Sequence, residues 1–340
     1  MRILAIETSC DETAAAIVDN GRVVVAQALS SSENLHKETG GIIPERAARQ
    51  QIKSITYILE KVLKEVEKDT LDAIAVTVGP GLIGSLLVGV ETAKALSIVW
   101  GLPLIPVNHL HGHLFSSWIG TDSPPEFPLV GLVISGGHTD LVYMKDKDTL
   151  KWIGGTRDDA AGEAFDKTAR IIGLPYPGGP AIAEAAKHFR DSHLDEKYNL
   201  FPRPMISSGD LDMSFSGLKT AVLNYTKSNQ VDLVSPEINR LAAEIETAII
   251  DVIVTKLVAA ANQYKPLSVV VGGGVIANNE LRRKLDDTFT KSFPNIKLFM
   301  PGIYNTDNAV MIAAAAFYTG RPKTLTNITA LPELSIEKTA

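Results

Sequence analysis

The chain has 340 residues, 45% of them hydrophobic and 21% charged, with a formal net charge of −6. That length exceeds one ordinary core and points to two domains, while the acidic balance argues against a uniformly basic nucleic-acid binder and leaves room only for a local basic patch. A single cysteine, Cys10, excludes an internal disulfide framework and suits a reducing cytoplasm.

The opening Met1-Arg2-Ile3-Leu4-Ala5-Ile6-Glu7 reaches an acidic residue too soon for a secretory signal. Ile3 to Ile6 reads as a short apolar strand, followed by the polar turn Glu7 to Thr13 and a second strand over 14–18. A turn at Asp19-Asn20-Gly21 leads to a third strand over 23–28. Pro44 then opens a long amphipathic helix, in which Ile52, Ile55, Ile58, Leu59, Val62, Leu63 and Val66 recur at three and four. A strand over 73–78 runs into Gly79-Pro80-Gly81, and a helix covers 83–100. The apolar region 82–107 is broken by Glu91, Lys94 and Pro103, so it does not read as a membrane span. A strand over 104–107 ends in Asn108-His109-Leu110-His111-Gly112-His113.

Ser123-Pro124-Pro125 marks a linker, and after it the opening theme returns. The strand 129–134, the tight turn Ser135-Gly136-Gly137-His138 and the strand 139–144 repeat strand, small polar turn, strand. That weak internal repeat suggests two related domains. A helix near 162–173, the loop Leu174 to Pro180, an irregular stretch over 190–215 and a long helix over 237–263 follow. The buried strand 268–271 ends in Gly272-Gly273-Gly274, a helix starts near Asn278, and an Ala-rich helix near 307–318 precedes a polar tail from Arg321.

Several of these stretches carry chemistry. His109 and His113 stand four apart, which on a helix stacks both rings on one face, the geometry for clasping one metal. Two ligands are too few, and the best distant third is Asp307 in Tyr304-Asn305-Thr306-Asp307-Asn308. His111, two residues from each, points away on a helix and competes as a ligand only on an irregular turn. In the turn Thr8 to Thr13, backbone N–H groups and hydroxyls suit a phosphate, but Asp11 and Glu12 would repel a bare one. A bridging cation or a proton-handling role is implied, against the plain alternative of a polar hairpin turn. Ser135-Gly136-Gly137-His138-Thr139 and Gly272-Gly273-Gly274 remove side chains where a ligand can lie on the backbone, the latter next to a helix N-terminus capped by Asn278. Asp159, Glu163 and Asp166 fall near one helical face and suit ribose hydroxyls or simply an acidic first turn. Pro177-Gly178-Gly179-Pro180 is rigid yet open, and Lys219 in Ser214 to Lys219 faces either a phosphate or solvent.

Taken together, Glu7-Thr8-Ser9-Cys10-Asp11-Glu12-Thr13, Gly79-Pro80-Gly81, His109 with His113, Ser135 to Thr139, Asp158 to Lys167, Pro177 to Pro180, Ser214 to Lys219 and Thr306-Asp307-Asn308 occur in order over residues 3 to about 315. In this the chain resembles the TsaD family of bacterial tRNA adenosine threonylcarbamoyltransferases, once labelled O-sialoglycoprotein endopeptidases. The resemblance implies an α/β, actin-like ATPase (ASKHA) fold of two ribonuclease-H-like domains with a ligand cleft between them. The expected division is 1–126 plus 304–340, and 127–303. It implies a donor, threonylcarbamoyl-adenylate, whose carbamoyl carbon is attacked by the exocyclic amine of adenine 37 in a tRNA while AMP leaves. It implies that His109, His113 and Asp307 hold one divalent metal, iron(II) or zinc, and that Val133, Ile134, Ser135, Gly136, Gly137, Asp166, Gly179 and Asn278 contact the adenylate. Asp11 and Glu12 are then the expected catalytic pair. Partners implied are tRNA, a TsaB heterodimer partner, the ATPase TsaE and an upstream synthase supplying the donor, with no membrane. Locally the chain departs from the pattern: Gly272 stands where many relatives have Ala, and Asn279 follows Asn278.

Competing readings are an ATP-dependent small-molecule kinase or hydrolase of the same fold, a metallopeptidase and a non-catalytic scaffold. The histidine pair argues against a magnesium-only kinase. Leu110-His111-Gly112 between the histidines lacks the glutamate of H-E-x-x-H. A scaffold would have no use for the metal and glycine motifs together.

Overall fold

The computed structural model describes residues 1–32, 42–192, 198–231 and 236–340. In chain order its elements are β1 (Arg2–Glu7), β2 (Glu12–Asp19), β3 (Val23–Ser31), α1 (Pro44–Leu63), β4 (Ala73–Gly79), α2 (Ile83–Trp100), β5 (Leu104–Asn108) and α3 (His109–Phe115). These are followed by β6 (Leu129–Ile134), β7 (Thr139–Asp146), β8 (Thr149–Gly155), α4 (Ala161–Ile171), α5 (Gly178–Ser192), α6 (Ser216–Ser228) and α7 (Glu237–Tyr264). The chain closes with β9 (Ser268–Gly272), α8 (Asn279–Ser292), β10 (Lys297–Phe299) and α9 (Ala309–Tyr318).

Two compact units emerge, one of residues Met1–Pro125, Asp146–Leu150 and Pro301–Ala340, the other of Glu126–Lys145 and Lys151–Met300. Each holds one five-stranded sheet. The orders are β3-β2-β1-β4-β5 and β10-β9-β6-β7-β8, which are the same topology read from opposite edges. In each sheet the first strand pairs antiparallel with its successor and parallel with a strand that returns through a helix. The repeat legible in the sequence is therefore a repeat of topology.

In the first unit, Leu4, Ile6, Ile17, Ile74 and Val76 are fully buried in the sheet. The apolar stripe of α1 covers it through Ile55, Ile58, Leu59 and Val62. Helix α2 is the one described helix long and apolar enough to cross a membrane, yet it buries Leu86, Val90 and Ala93 within this unit. Its other side leaves Ile83, Leu87, Ile98 and Val99 exposed.

The tail after Arg321 is not merely polar: it docks back on this unit, with Ile328, Leu334 and Ile336 buried. The Leu331 N–H donates to the Val78 carbonyl (2.6 Å), and the Gly81 N–H donates to the Pro332 carbonyl (3.1 Å). A Cβ on Gly79 would lie 1.9 Å from the Leu331 carbonyl oxygen, so only glycine lets the tail approach this closely.

The core of the second unit includes α7, a 28-residue helix that buries Leu241, Ile245, Ile249, Val252, Ile253 and Leu257 with residues of β6 and β9. Several of its elements differ from the sequence-based expectation. Gly178 to Pro180 form the first turn of α5, and Ser216 to Ser228 form α6. β8 and the three-residue β10 complete the sheet. Within the expected irregular stretch 190–215, residues 193–197 lie outside the described residues, and the start of it, Arg190 to Ser192, is still helix.

Candidate active site

β5 delivers Asn108 as the N-cap of α3. Its Oδ1 accepts from the Leu110 N–H (2.9 Å), so the helix begins at His109. One turn later comes His113, and the two ring centroids stand 4.6 Å apart at 79°. Asp307 arrives two residues ahead of α9, whose own N-cap, Asn308, accepts from the Met311 N–H. Asp307 Oδ1 lies 3.4 Å from His109 Nε2 and 3.3 Å from His113 Nε2. One potential ligand atom from each of the three residues falls within 4.8 Å of the others.

These residues fit a metal. Both histidines are buried; His113 Nδ1 has no partner, and its Nε2 meets only the Asp307 carboxylate, 3.3 Å away. A buried imidazole without partners is costly unless something else takes its lone pair. Two imidazoles and one carboxylate are a donor set that could hold a metal ion. In the metal-free arrangement, burial works against a charged His109, but the carboxylates of Asp307 and Glu7 outweigh it and hold its pKa well above the ordinary value. Burial also works against the Asp307 carboxylate, which His109 and then His113 nevertheless hold well below the usual range. His113 is pushed down by burial, and the charge on His109 adds to this. His111 points elsewhere, its Nε2 donating to the Ile336 carbonyl (2.7 Å).

The turn between β1 and β2 is held from outside. Gln51 Nε2 donates to the carbonyls of Cys10 (3.0 Å) and Glu12 (2.9 Å), and the Leu82 N–H donates to the Ser9 carbonyl (2.8 Å). The Thr8 hydroxyl is spent on the Ser85 carbonyl (2.9 Å), so it is no free donor for a phosphate. Glu12 is pushed up to about 10, first by burial, then by its hydrogen bond to Asp11 and by the charge of Asp307. The structure thus brings Asp11, Glu12 and the histidine–aspartate cluster into one electrostatic neighbourhood. Burial and the carboxylate of Asp11 push the Cys10 thiol up, which keeps it protonated.

The second unit carries a cavity of about 800 Å³. Gly136, Asp166, Gly179 and Asn278 line it. A Cβ on Gly136, Gly179 or Gly274 would meet nothing within 4 Å, so these glycines open space rather than relieve packing. Gly273 differs: its φ is +100°, and a Cβ there would lie 2.3 Å from the Ile134 carbonyl oxygen. Val133, Ile134, Ser135 and Gly137 are not among the lining residues. Val133 and Ile134 are fully buried in β6, and the Ser135 carbonyl accepts from the Gly162 N–H (3.2 Å).

Asp166 Oδ1 accepts from the Gly178 N–H (2.7 Å) at the start of α5, although burial raises its pKa. Asn278 caps α8 through Oδ1 to the Leu281 N–H (2.8 Å) and donates from Nδ2 to Glu246 Oε1 (2.5 Å). Glu246 also pairs with Arg190. Both line the cavity, as do Lys187 and Arg283, and all four escaped the sequence reading as site residues. Asp159 corrects another expectation: it precedes α4 rather than sharing a helical face with Glu163 and Asp166. It pairs with Lys167 (2.7 Å) and lies 3.7 Å from Lys219, so Lys219 faces a carboxylate.

Comparison with known proteins agrees in fold and in family. A family model described as TsaD, tRNA N6-adenosine threonylcarbamoyltransferase, matches residues 23–314. A tRNA N6-adenosine threonylcarbamoyltransferase of Geobacillus thermodenitrificans is 46% identical over 318 residues, 92% of this chain and 90% of that protein. One from Bacillus cereus is 45% identical over 341 residues, 98% and 96% of the two chains. Among solved structures, HypF from T. kodakarensis aligns with a TM-score of 0.60 at 13% identity, covering 93% of this chain and 47% of that one. Component A of (R)-2-hydroxyglutaryl-CoA dehydratase from Acidaminococcus fermentans aligns with 0.52 at 17%, covering 94% and 97%. These similarities show the actin-like ATPase fold.

Proposed function

Because the chain belongs to the TsaD family of tRNA N6-adenosine threonylcarbamoyltransferases, we propose how its own residues divide the work of that transfer. The threonylcarbamoyl group passes from threonylcarbamoyl-adenylate to N6 of adenine 37 in tRNAs reading codons that begin with A. The product is t6A, and AMP is released. Two ribonuclease-H-like domains, 1–126 with 304–340 and 127–303, are assigned to the two compact units, apart from Asp146–Leu150, which belong to the first unit, and small shifts at the boundaries.

His109, His113 and Asp307 would hold one divalent metal, iron(II) or zinc. The convergence of one potential ligand atom from each of the three residues within 4.8 Å, at two buried imidazoles, is the observation that carries this assignment. Such an ion supplies Lewis-acid stabilisation of negative charge on phosphate or carbonyl oxygen. The cavity lined by Gly136, Gly179 and Gly274 would take the adenylate end of the donor, with backbone rather than side chains against the ligand. Asp166 and Asn278 stand at its wall as orienting groups.

In the transfer the N6 amine forms a bond to the carbamoyl carbon, and the bond from that carbon to the phosphate oxygen breaks. One proton leaves the amine. Glu12, pushed up to about 10, carries its own proton at neutral pH. Of the pair, Asp11 is therefore assigned to accept the amine proton, with Glu12 hydrogen-bonded beside it.

The partner reading keeps TsaB and TsaE. Exposed Ile52 and Tyr57 on α1 and Ile83, Leu87, Ile98 and Val99 on α2 offer TsaB an apolar surface. A tRNA substrate and a single cysteine suit the cytoplasm.

The test is a reconstituted transfer: purified chain, threonylcarbamoyl-adenylate and unmodified ANN-decoding tRNA, with and without TsaB and TsaE, read by mass spectrometry of the nucleosides. Product from wild type and none from His109→Ala/His113→Ala supports the metal-dependent assignment. Product from both demotes the metal to structure.

A further inference from the structure

Glu7 is fully buried at the end of β1, in the same turn that carries Asp11 and Glu12. A buried carboxylate is tolerated only when its lone pairs are used. Glu7 Oε1 accepts from the Ser9 N–H (2.5 Å), and Oε2 accepts from the Thr77 hydroxyl on β4 (2.5 Å). The same Oε2 lies 3.1 Å from His109 Nδ1, which also stands 3.2 Å from the Ser9 hydroxyl. The far nitrogen of that ring, Nε2, faces Asp307 Oδ1.

A carboxylate has no proton to give, so the contact with Nδ1 requires the proton to sit on the histidine. With Nδ1 bearing its hydrogen toward Glu7, the lone pair of the neutral ring is on Nε2, on the side of His113 and Asp307. The two strands that hold Glu7 are themselves paired, Ile6 opposite Val76, so the carboxylate is anchored on rigid backbone rather than on a loop. His113 has no counterpart: its Nδ1, the nitrogen turned away from Asp307, lacks a hydrogen-bond partner. Of the two imidazoles, only His109 is oriented from behind.

We propose that Glu7 is the positioning residue of this site, fixing the ring orientation and tautomer of His109 so that Nε2 is presented to a divalent cation. The proposal rests on the reading that His109, His113 and Asp307 bind such an ion. Outer carboxylate partners of this kind typically change metal affinity by about 10- to 100-fold when removed.

The experiment uses the full chain, with cobalt(II) titrated by its visible absorption and zinc(II) as the probe for nitrogen NMR. Variants are Glu7→Gln, Thr77→Val and His113→Ala. Glu7→Gln keeps the volume but places an amide N–H where an acceptor stood, which favours the opposite tautomer. The expected result is cobalt affinity weakened about 10- to 100-fold, with a smaller loss in Thr77→Val, whose Glu7 loses one anchoring donor. In the zinc-loaded wild type, long-range ¹H–¹⁵N spectra should show His109 protonated at Nδ1. That measurement needs no variant to fold. A His109 carrying its proton on Nε2, or a Glu7→Gln protein that melts earlier yet binds cobalt as tightly as wild type, overturns the proposal. Cobalt binding by neither wild type nor His113→Ala would instead sink the metal reading itself.

Discussion

Asp307 Oδ1 lies 3.4 Å from His109 Nε2, joining residues about 200 positions apart in sequence at one point of the first unit. Without an ion the pair behaves as a buried salt bridge, His109 held protonated and Asp307 ionised. The ion must displace that proton. Cation affinity is therefore expected to rise with pH, with proton release on binding, until His109 is neutral in the free protein. Calorimetric titration of zinc in two buffers of different ionisation enthalpy measures the proton count directly.

The same pair gives the metal-free protein a stability window. The Asp307 pKa is lowered on folding, so its contribution is present above the ordinary carboxylate range and is lost as pH falls through the lowered value. The His109 pKa is raised, so its contribution is present below the ordinary imidazole value and is lost as pH rises through the raised one. Chelator-treated protein should melt highest between those limits, and Asp307→Asn should flatten the profile. Thermal melts across pH check this.

Arg190 and Glu246 test which partner matters more in the cavity wall. The Glu246 side chain is only 1% exposed, whereas Arg190 retains 21%. Removing Arg190 strands a buried carboxylate, and Arg190→Met is expected to cost about 3 kcal/mol in urea unfolding, at the low end for a broken buried pair. Glu246→Gln should cost less, because Arg190 reaches water and Gln still accepts from Asn278. Equal losses would show that the two are equivalently buried in solution.

A chain ending at Ala330 removes two buried side chains, Leu334 and Ile336. At about 1.5–3 kcal/mol each, the expected loss is about 3–6 kcal/mol. It also strips the Asn108 side chain of its two carbonyl acceptors, Ser335 and Lys338, and His111 of Ile336. Cobalt affinity should fall with stability in this variant, since the loosened helix α3 carries both histidines.

The exposed apolar face of α1 and α2 gives the opposite signature. Tyr57 is 66% and Val99 77% exposed. Tyr57→Glu and Val99→Glu should leave the melting temperature within a degree or so of wild type, since neither side chain is packed within the chain. Binding to TsaB, followed by size-exclusion chromatography and calorimetry, should be lost. Retained binding removes that face from the partner surface.

What the sequence makes legible follows from how local each cause is. The helical period of α1 and the i, i+4 spacing of His109 and His113 are local, and both appear, although Ile52 of the expected stripe is exposed and Val66 lies past the end of α1. Helix α6 is not legible because Ser, Gly, Thr and Asn are indifferent helix formers. Its first turn is instead capped by Asp158, which accepts from the Phe215 and Ser216 N–H groups 57 and 58 residues away. α5 opens on Gly-Gly-Pro, which reads as a loop until Asp166 is seen holding the Gly178 N–H. β10 has three residues and no pattern to show. Arg190 and Glu246 lie on helices with nothing in their spacing to pair them, and Glu7 is joined to His109 across 102 positions. The expectation that failed on local grounds was the polar tail. Leu334 and Ile336 were too few to register as a periodic stripe, yet both are buried.

That docked tail sets a clock on the proposed ion site. Asn108, the residue from which the histidine helix starts, is held by carbonyls 227 and 230 positions later. At about 5–20 residues added per second, the ribosome finishes β5 and α3 on the order of ten seconds or more before it supplies Lys338. For most of that interval, until Asp307 itself is added, the two histidines exist without it, and throughout they lack the clamp on Asn108. The nascent chain therefore offers two of the three residues at first, and a cation met early in synthesis finds the two imidazoles without Asp307.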